Sequence, residues 1–470
     1  MDDIRLLKTF LGKNAPKNSP KSNISSKFKR KLKPKVITKR SPQRKSKSNP
    51  KLKLQSRGNI YIGGIDVFGT KKMPKELIWK TMFYLPVNSI KSWCSTNKYF
   101  KEEICTDEFW RLYLKNKYKI TVKLYQETWM EAIYRYSKSY DLISMKSNER
   151  KITREVKKVV GAPDSKYYKV LFVNRVPLTM YFINDNFDLY YYYKGVTTLI
   201  KKNIIDVSYT FKIKMIGETN IDFHHLILVT GSGSLNYIKL EPKSLNYIKF
   251  GSDSNLDFKE IKIASKAVFV NEYYILTQNG QTIKYNITNL NTSLENDINF
   301  ETFDTPVPFK WISDFGNRPH YGGNSKNHEW TAALDFNGSV LVKGDNYSYQ
   351  MGVEKKEIYG DFVKLKLKNI IKIDTHRQTT LFLDVNNQVW TCGTYGRTKI
   401  LKPIKLNIEA TDIFSVYVMN KEGIYRIEKP DRIVKIYNLK GLNLDLKFGY
   451  NIKRWSGDDY DIYFYVDSVL

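Results

Sequence analysis

With 470 residues the chain exceeds one ordinary core, and its 41% hydrophobic content can fill two or more. Three cysteines without a C-x-x-C pair argue against a disulfide framework or a zinc knuckle and for a reducing compartment. No run reaches the ~18 apolar residues of a membrane span and no apolar signal core opens the chain, so an intracellular, soluble protein free of membrane is expected.

The net charge of +31 gathers at the start. Residues 1–57 hold 19 Lys/Arg against Asp2 and Asp3, broken by Pro34, Pro42 and Pro50. Burial cannot offset the entropy of ordering such a segment, which reads as a disordered basic arm. Three roles stay open for it: a solvated tail, a nuclear-import signal through Lys29-Arg30-Lys31 and Lys39-Arg40, or a loose phosphate contact with nucleic acid. The expected location is cytoplasm, nucleus or both. A linker with four glycines follows over residues 58–72.

A helical module is expected over 73–145. Pro74 suits a first helical turn, where its missing N–H costs nothing, and Leu85-Pro86 marks a stop. Between them Leu77, Ile78, Met82 and Leu85 share one side. Asn88 or Ser89 can cap a second helix with Ile90, Trp93 and Cys94. Tyr99, Phe100 and Ile104 give a third, and Thr106 caps a fourth with Phe109, Trp110, Tyr113 and Leu114. So small a bundle buries little surface alone and should lean on a partner or on its neighbour in the chain.

The runs Met73-Pro74-x-Glu76-Leu77-Ile78, Tyr84-Leu85-Pro86, Ser89-Ile90, Cys94-x-x-Asn97-Lys98-Tyr99-Phe100 and Phe109-Trp110-Arg111 resemble an F-box over about one tenth of the chain. The match departs at Met73, where Leu is usual, and at Asn88, where Asp is frequent. The resemblance implies docking onto the small linker protein of SCF-type ubiquitin ligases, and through it a cullin. Pro74, Leu77, Ile78, Leu85, Pro86, Ile90 and Trp110 would form that contact. Read from spacing alone, the same residues fill the module's own core. Heavy use of Lys, Asn, Ile and Tyr is similar to that of giant DNA viruses or AT-rich protists; a viral source would place the protein in a host cell.

From about residue 150 the texture turns to short aromatic and β-branched runs between Asn, Gly and Asp turns, the grammar of strands and hairpins. The turns are Asn184-Asp185-Asn186, Gly231-Ser232-Gly233, Asn279-Gly280, Asn337-Gly338, Asn386-Asn387 and Lys421-Glu422-Gly423, with Ser456-Gly457 as a candidate seventh. A period near 50 with several strands per repeat predicts a β-propeller over 150–470. The stretch from His328 through Asn337-Gly338 to Gln350-Met351-Gly352 resembles the regulator-of-chromosome-condensation repeat, and His376 opens a weaker copy. His224 stands nine residues before Gly233, as His328 does before Asn337. Departures are Lys343 and Cys392, where an aromatic usually precedes the blade glycine, and Tyr349, where glycine precedes the Gln. Exchange-factor activity is not carried over, because fold alone does not transfer function.

His225 and His320 have no metal-spaced partners, Gly231 to Ser234 and Gly322-Gly323 are loop glycines, and Tyr190 to Tyr193 reads as a strand facing both sides of a sheet. No catalytic residue, metal or cofactor is therefore expected. The fold class is α+β multidomain: a small all-α F-box helical bundle, then an all-β propeller of six or seven blades. The leading functional expectation is a non-catalytic substrate receptor, with an unknown protein substrate on the propeller. The alternative is a chromatin- or small-GTPase-binding propeller without a ligase role, in which the arm supplies phosphate affinity.

Overall fold

The computed structural model describes residues 61–62, 65–66, 74–96, 98–137, 140–148, 157–158, 167–174, 179–193, 196–216, 219–240, 258–287, 298–313, 330–376, 378–438, 446–448 and 459–467. The basic arm, His328 and Ser456-Gly457 lie outside these residues. The chain divides into two bodies, residues 1–85 and 86–470.

In the first body Tyr61–Ile62 pairs antiparallel with Ile65–Asp66 inside the expected linker. Helix α1, Lys75–Met82, starts after an extended Pro74, as a residue without an N–H allows. It buries Ile78, Trp79 and Met82.

The second body opens with α2, Val87–Thr96, then a π-helical turn over Phe100–Ile104, α3, Asp107–Tyr118, and α4, Trp129–Tyr136. Helix α2 begins at Val87, ahead of the caps expected at Asn88 or Ser89, so both lie inside its first turn. Thr106 does cap α3, accepting from Phe109 N–H at 3.4 Å. Thr128 and Glu131 form a reciprocal capping box on α4. The sequence argued against a disulfide framework, yet Cys94 and Cys105 are disulfide-bonded, with Cα atoms 5.9 Å apart. Eleven residues separate them in sequence, and the turn between α2 and α3 folds that separation back within bridging range.

The described residues between 140 and 467 form a ring. Five antiparallel sheets of four strands each follow one another over residues 204–261, 267–303, 309–364, 370–409 and 412–438. The remaining eight-stranded sheet resolves into two groups of four joined only at Tyr140↔Tyr167. One group is local, residues 167–201. The other combines Leu446–Phe448 and Asp459–Asp467 with Tyr140–Asn148 and Lys157–Lys158 from the start of the ring. Asp459–Asp467 pairs in register along all of Tyr140–Asn148, so both ends of the ring segment share one blade. Each sheet touches the next, and the composite sheet touches both the sixth and the first. Among the described residues seven blades result, numbered here from residue 167, and the shared blade closes the ring between its first and last segments.

Cores lie between blades. Trp330, Leu334 and Met351 of blade 4 share one cluster with Ile370, Phe382 and Cys392 of blade 5. Innermost strands are stitched across blade boundaries: Lys169 to Asp206 at 2.5 Å, Lys372 to Asp412 at 2.6 Å, and Val270 N–H to Asp206 at 2.9 Å.

Candidate partner-binding surfaces

The expected turns between the second and third strands share a left-handed fourth residue in blades 1 to 5, whereas the Lys421-Glu422-Gly423 turn of blade 6 is tighter, with Asn420 accepting from Glu422 and Gly423 N–H at 2.9 and 3.1 Å. In blades 1, 4 and 5 the first residue accepts from backbone N–H groups two and four positions on: Asn184 from Asn186 at 3.0 Å and Asp188 at 2.9 Å, Asp335 from Asn337 at 2.8 Å and Ser339 at 2.7 Å, Asp384 from Asn386 at 2.8 Å and Gln388 at 3.0 Å. The fourth position has positive φ. Gly233, Gly280, Gly338 and Asn387 occupy it in blades 2 to 5, where glycine or asparagine tolerates the left-handed region. Blade 1 instead places Phe187 there at φ 62. This register also corrects the histidine spacing: Gly233 aligns with Gly338 rather than with Asn337, so in sequence His224 stands nine residues before the aligned glycine and His328 ten.

Phe187 has a physical account. Its ring is fully buried and meets Tyr168 at 4.9 Å, Tyr118 at 5.4 Å and Tyr136 at 5.8 Å, so the strained turn anchors the helices to the ring. Burial pushes the Tyr168 phenol well above its usual range. The chain leaving α3 continues along the same face. Thr121 N–H donates to Gly231 C=O at 2.8 Å. A side chain at Gly233 would collide with Val122, and one at Gly280 would press on Tyr125. Arg135 makes a two-pronged contact with Glu127, at 2.9 and 2.7 Å, that closes this segment. Helices α3 and α4 and the segment between them thus lie on the hairpin-turn face over blades 1 to 3, and the opposite face carries the loops between third and fourth strands.

On that opposite face lies the blade 4 loop Asn346 to Glu357. Buried Asn346 donates to Val353 C=O and Lys355 C=O, both at 2.7 Å, and accepts from Met351 N–H at 3.0 Å. Gln350 donates to Asp345 C=O at 2.6 Å. Cys392 of blade 5 packs beneath, its Sγ 3.3 Å from Gln350 C=O, and burial pushes its thiol far up, so it stays protonated. Tyr347, Lys355, Lys356, Arg397 and Lys399 are exposed around this loop.

Of the docking residues named from sequence, Leu77 is 49% exposed, Pro74 and Pro86 are exposed, and Leu85 is half-buried. Ile78, Ile90 and Trp110 are core residues. Tyr84, 74% exposed, was not singled out, although its place in the Leu-Pro stop made it visible. Tyr190 to Tyr193 does form a strand with both faces covered to differing degrees, Leu189–Tyr193. Among the described residues no three His, Cys, Asp or Glu side chains gather as a metal site, and no helix is long and apolar enough to cross a membrane.

No family model matches the chain, and no curated protein matches it. Among solved structures it is similar to yeast RCC1 (Prp20) bound to Kap60, at 10% identity over 72% of this chain and 92% of that one, TM-score 0.44. Prp20p from Saccharomyces cerevisiae, solved with a study of its binding to Gsp1p and histones, gives 10% identity over 72% and 95%, TM-score 0.44. Human WBSCR16 gives 13% identity over 55% and 74%, TM-score 0.35. The seven-bladed assignment rests on the strand pairing of this chain.

Proposed function

We propose that the chain is a non-catalytic, partner-binding propeller with α3 and α4 fixed to one face and with its partner, an acidic surface on chromatin or a small GTPase, on the rest of the ring. One observation carries the reading. Blades 4 and 5, which α3 and α4 leave open, expose Lys355, Lys356, Lys364, Lys366, Lys368, Arg397, Lys399, Lys402 and Lys405 against Glu354, Glu357, Asp361 and Glu409. Such an excess steers acidic partners and makes their binding salt-dependent. The test is a pull-down of the full chain from nuclear and cytosolic extracts at low and high salt. Salt-sensitive recovery of histones or a small GTPase, lost when Lys364, Lys366 and Lys368 become Glu, supports the reading; recovery unaffected by those changes refutes it.

A second reading, the SCF-type substrate receptor, is favoured by the exposure of Leu77 and Tyr84 within the F-box-like run. Recovery of the linker protein and cullin by the parent, and not by Leu77→Glu/Tyr84→Glu, would put this reading first.

A further inference from the structure

We propose that the loop joining the third and fourth strands of blade 4 is a binding site for single-stranded nucleic acid, with Tyr347 and Tyr349 as base-stacking platforms and the surrounding lysines as phosphate contacts. The first observation is backbone strain. Tyr349 holds φ 60, a conformation that glycine adopts without penalty and that a bulky side chain adopts only when something else secures it. At the other aromatic left-handed position, Phe187, a fully buried ring provides that security. At Tyr349 the backbone provides it: Tyr349 N–H donates to Asn346 C=O and Gly352 N–H to Tyr349 C=O, both at 3.0 Å, and Thr394 of blade 5 donates to Ser348 C=O at 2.8 Å, so a half-buried ring is carried by a fixed backbone.

The second observation is the frame. Asn346 and Gln350, both buried, tie the loop to itself through five side-chain hydrogen bonds of 2.6 to 3.0 Å, and Met351 is buried beneath. The two tyrosines therefore project from a rigid base. Ordering costs on binding are low in such a site.

The third is the charge around the rings. Lys356 Nζ stands 3.5 Å from the Tyr347 ring centre and Lys399 Nζ 6.0 Å from that of Tyr349. Lys355 and Arg397 are exposed nearby, and of the two acidic residues in the loop Glu354 is already paired with Lys402 at 2.6 Å. A ligand that offers a flat π face and a negative charge in every repeat uses both features together. An acidic peptide would use the cations and leave the rings idle. The site does not depend on the protein partner proposed above, and either proposal can fail alone.

The test uses the full chain and a fluorescein-labelled 15-mer of oligothymidylate, read by anisotropy at several salt concentrations. Saturable, salt-dependent binding is expected for the parent. Tyr347→Ala should weaken it about 5- to 100-fold, the effect of removing one stacked base, whereas Tyr347→Phe should bind like the parent. Tyr349→Gly should lose affinity while raising the thermal midpoint, because the ring goes and the strain goes with it. A merely structural tyrosine would not lose binding and gain stability together. Parental affinity in both Tyr347→Ala and Tyr349→Gly would overturn the proposal and assign any binding to the basic arm. Displacement of the oligonucleotide by poly-glutamate at equal charge would likewise overturn it in favour of an acidic protein ligand.

Discussion

Phe187 offers a test of how the helices are held to the ring. Replacing a fully buried phenylalanine with alanine costs about 3–5 kcal/mol, and here three tyrosine rings lose their common neighbour. Alanine keeps the left-handed penalty at φ 62, while glycine removes it and recovers roughly 1 kcal/mol. The expected order is therefore parent, then Phe187→Gly at about 3 kcal/mol below it, then Phe187→Ala at about 4 kcal/mol. At an ordinary core position the order of the two variants would reverse, since glycine loses more entropy on folding. Urea unfolding followed by the fluorescence of Trp110 and Trp129 reads the module directly, and hydrogen exchange at Thr121 N–H reports its seam with blade 2. An alanine variant more stable than the glycine variant would refute the backbone argument, and a loss below about 1 kcal/mol in both would refute the anchoring role.

Asn346→Ala should cost about 2–4 kcal/mol, because it orphans backbone groups in a buried loop; thermal unfolding checks it. Reduction of Cys94–Cys105, or Cys94→Ser, should lower the stability of α2 to α3 by about 2–3 kcal/mol through the freed chain entropy of a short loop, seen as faster exchange over residues 87–118. Glu131 is held below the usual carboxylate range, mainly by the Thr128 N–H that it accepts. Its stabilising effect is therefore present above the unfolded pKa and lost as pH falls through the lower folded one. Glu131→Gln should sit about 0.5–1 kcal/mol below the parent at neutral pH and converge with it in acid, measured as midpoint against pH.

The period of the ring could be read from sequence because blades 1 to 5 repeat one local device, a five-residue turn with a polar residue first and a left-handed residue fourth. Asp335 with Gly338 and Thr230 with Gly233 carry that requirement in their residue types. Blade number could not be read the same way, since the seventh blade is assembled from residues 140–158 and 446–467 and has no local repeat. The caps at Thr106 and Thr128 follow short-range rules and were accessible, the first of them foreseen. The Cys94–Cys105 bond was missed because counting cysteines ignores that two helical segments bring them together. Which apolar residues of the F-box-like run face outward was also beyond helical spacing, which puts Leu77 and Ile78 on one stripe although one is half exposed and the other buried.

Positive φ at residues other than glycine and asparagine marks places where the chain yields local comfort to something farther away. Lys119 ends α3 in that conformation, with its carbonyl against Gly231, and Phe187 adopts it to reach the tyrosines of the helices. Ser415 does so where its N–H reaches Asp374 of the preceding blade at 2.8 Å. In all three the compensation is a contact between distant parts of this chain. Tyr349 is the remaining case among the described residues: its N–H donates to Asn346 C=O at 3.0 Å, and the flanking Ser348 and Gln350 carbonyls accept from Thr394 and Thr380 of blade 5 at 2.8 and 2.6 Å. There too the compensation lies in contacts of this chain, and the loop they fix is what holds the half-buried Tyr349 ring in place for a ligand.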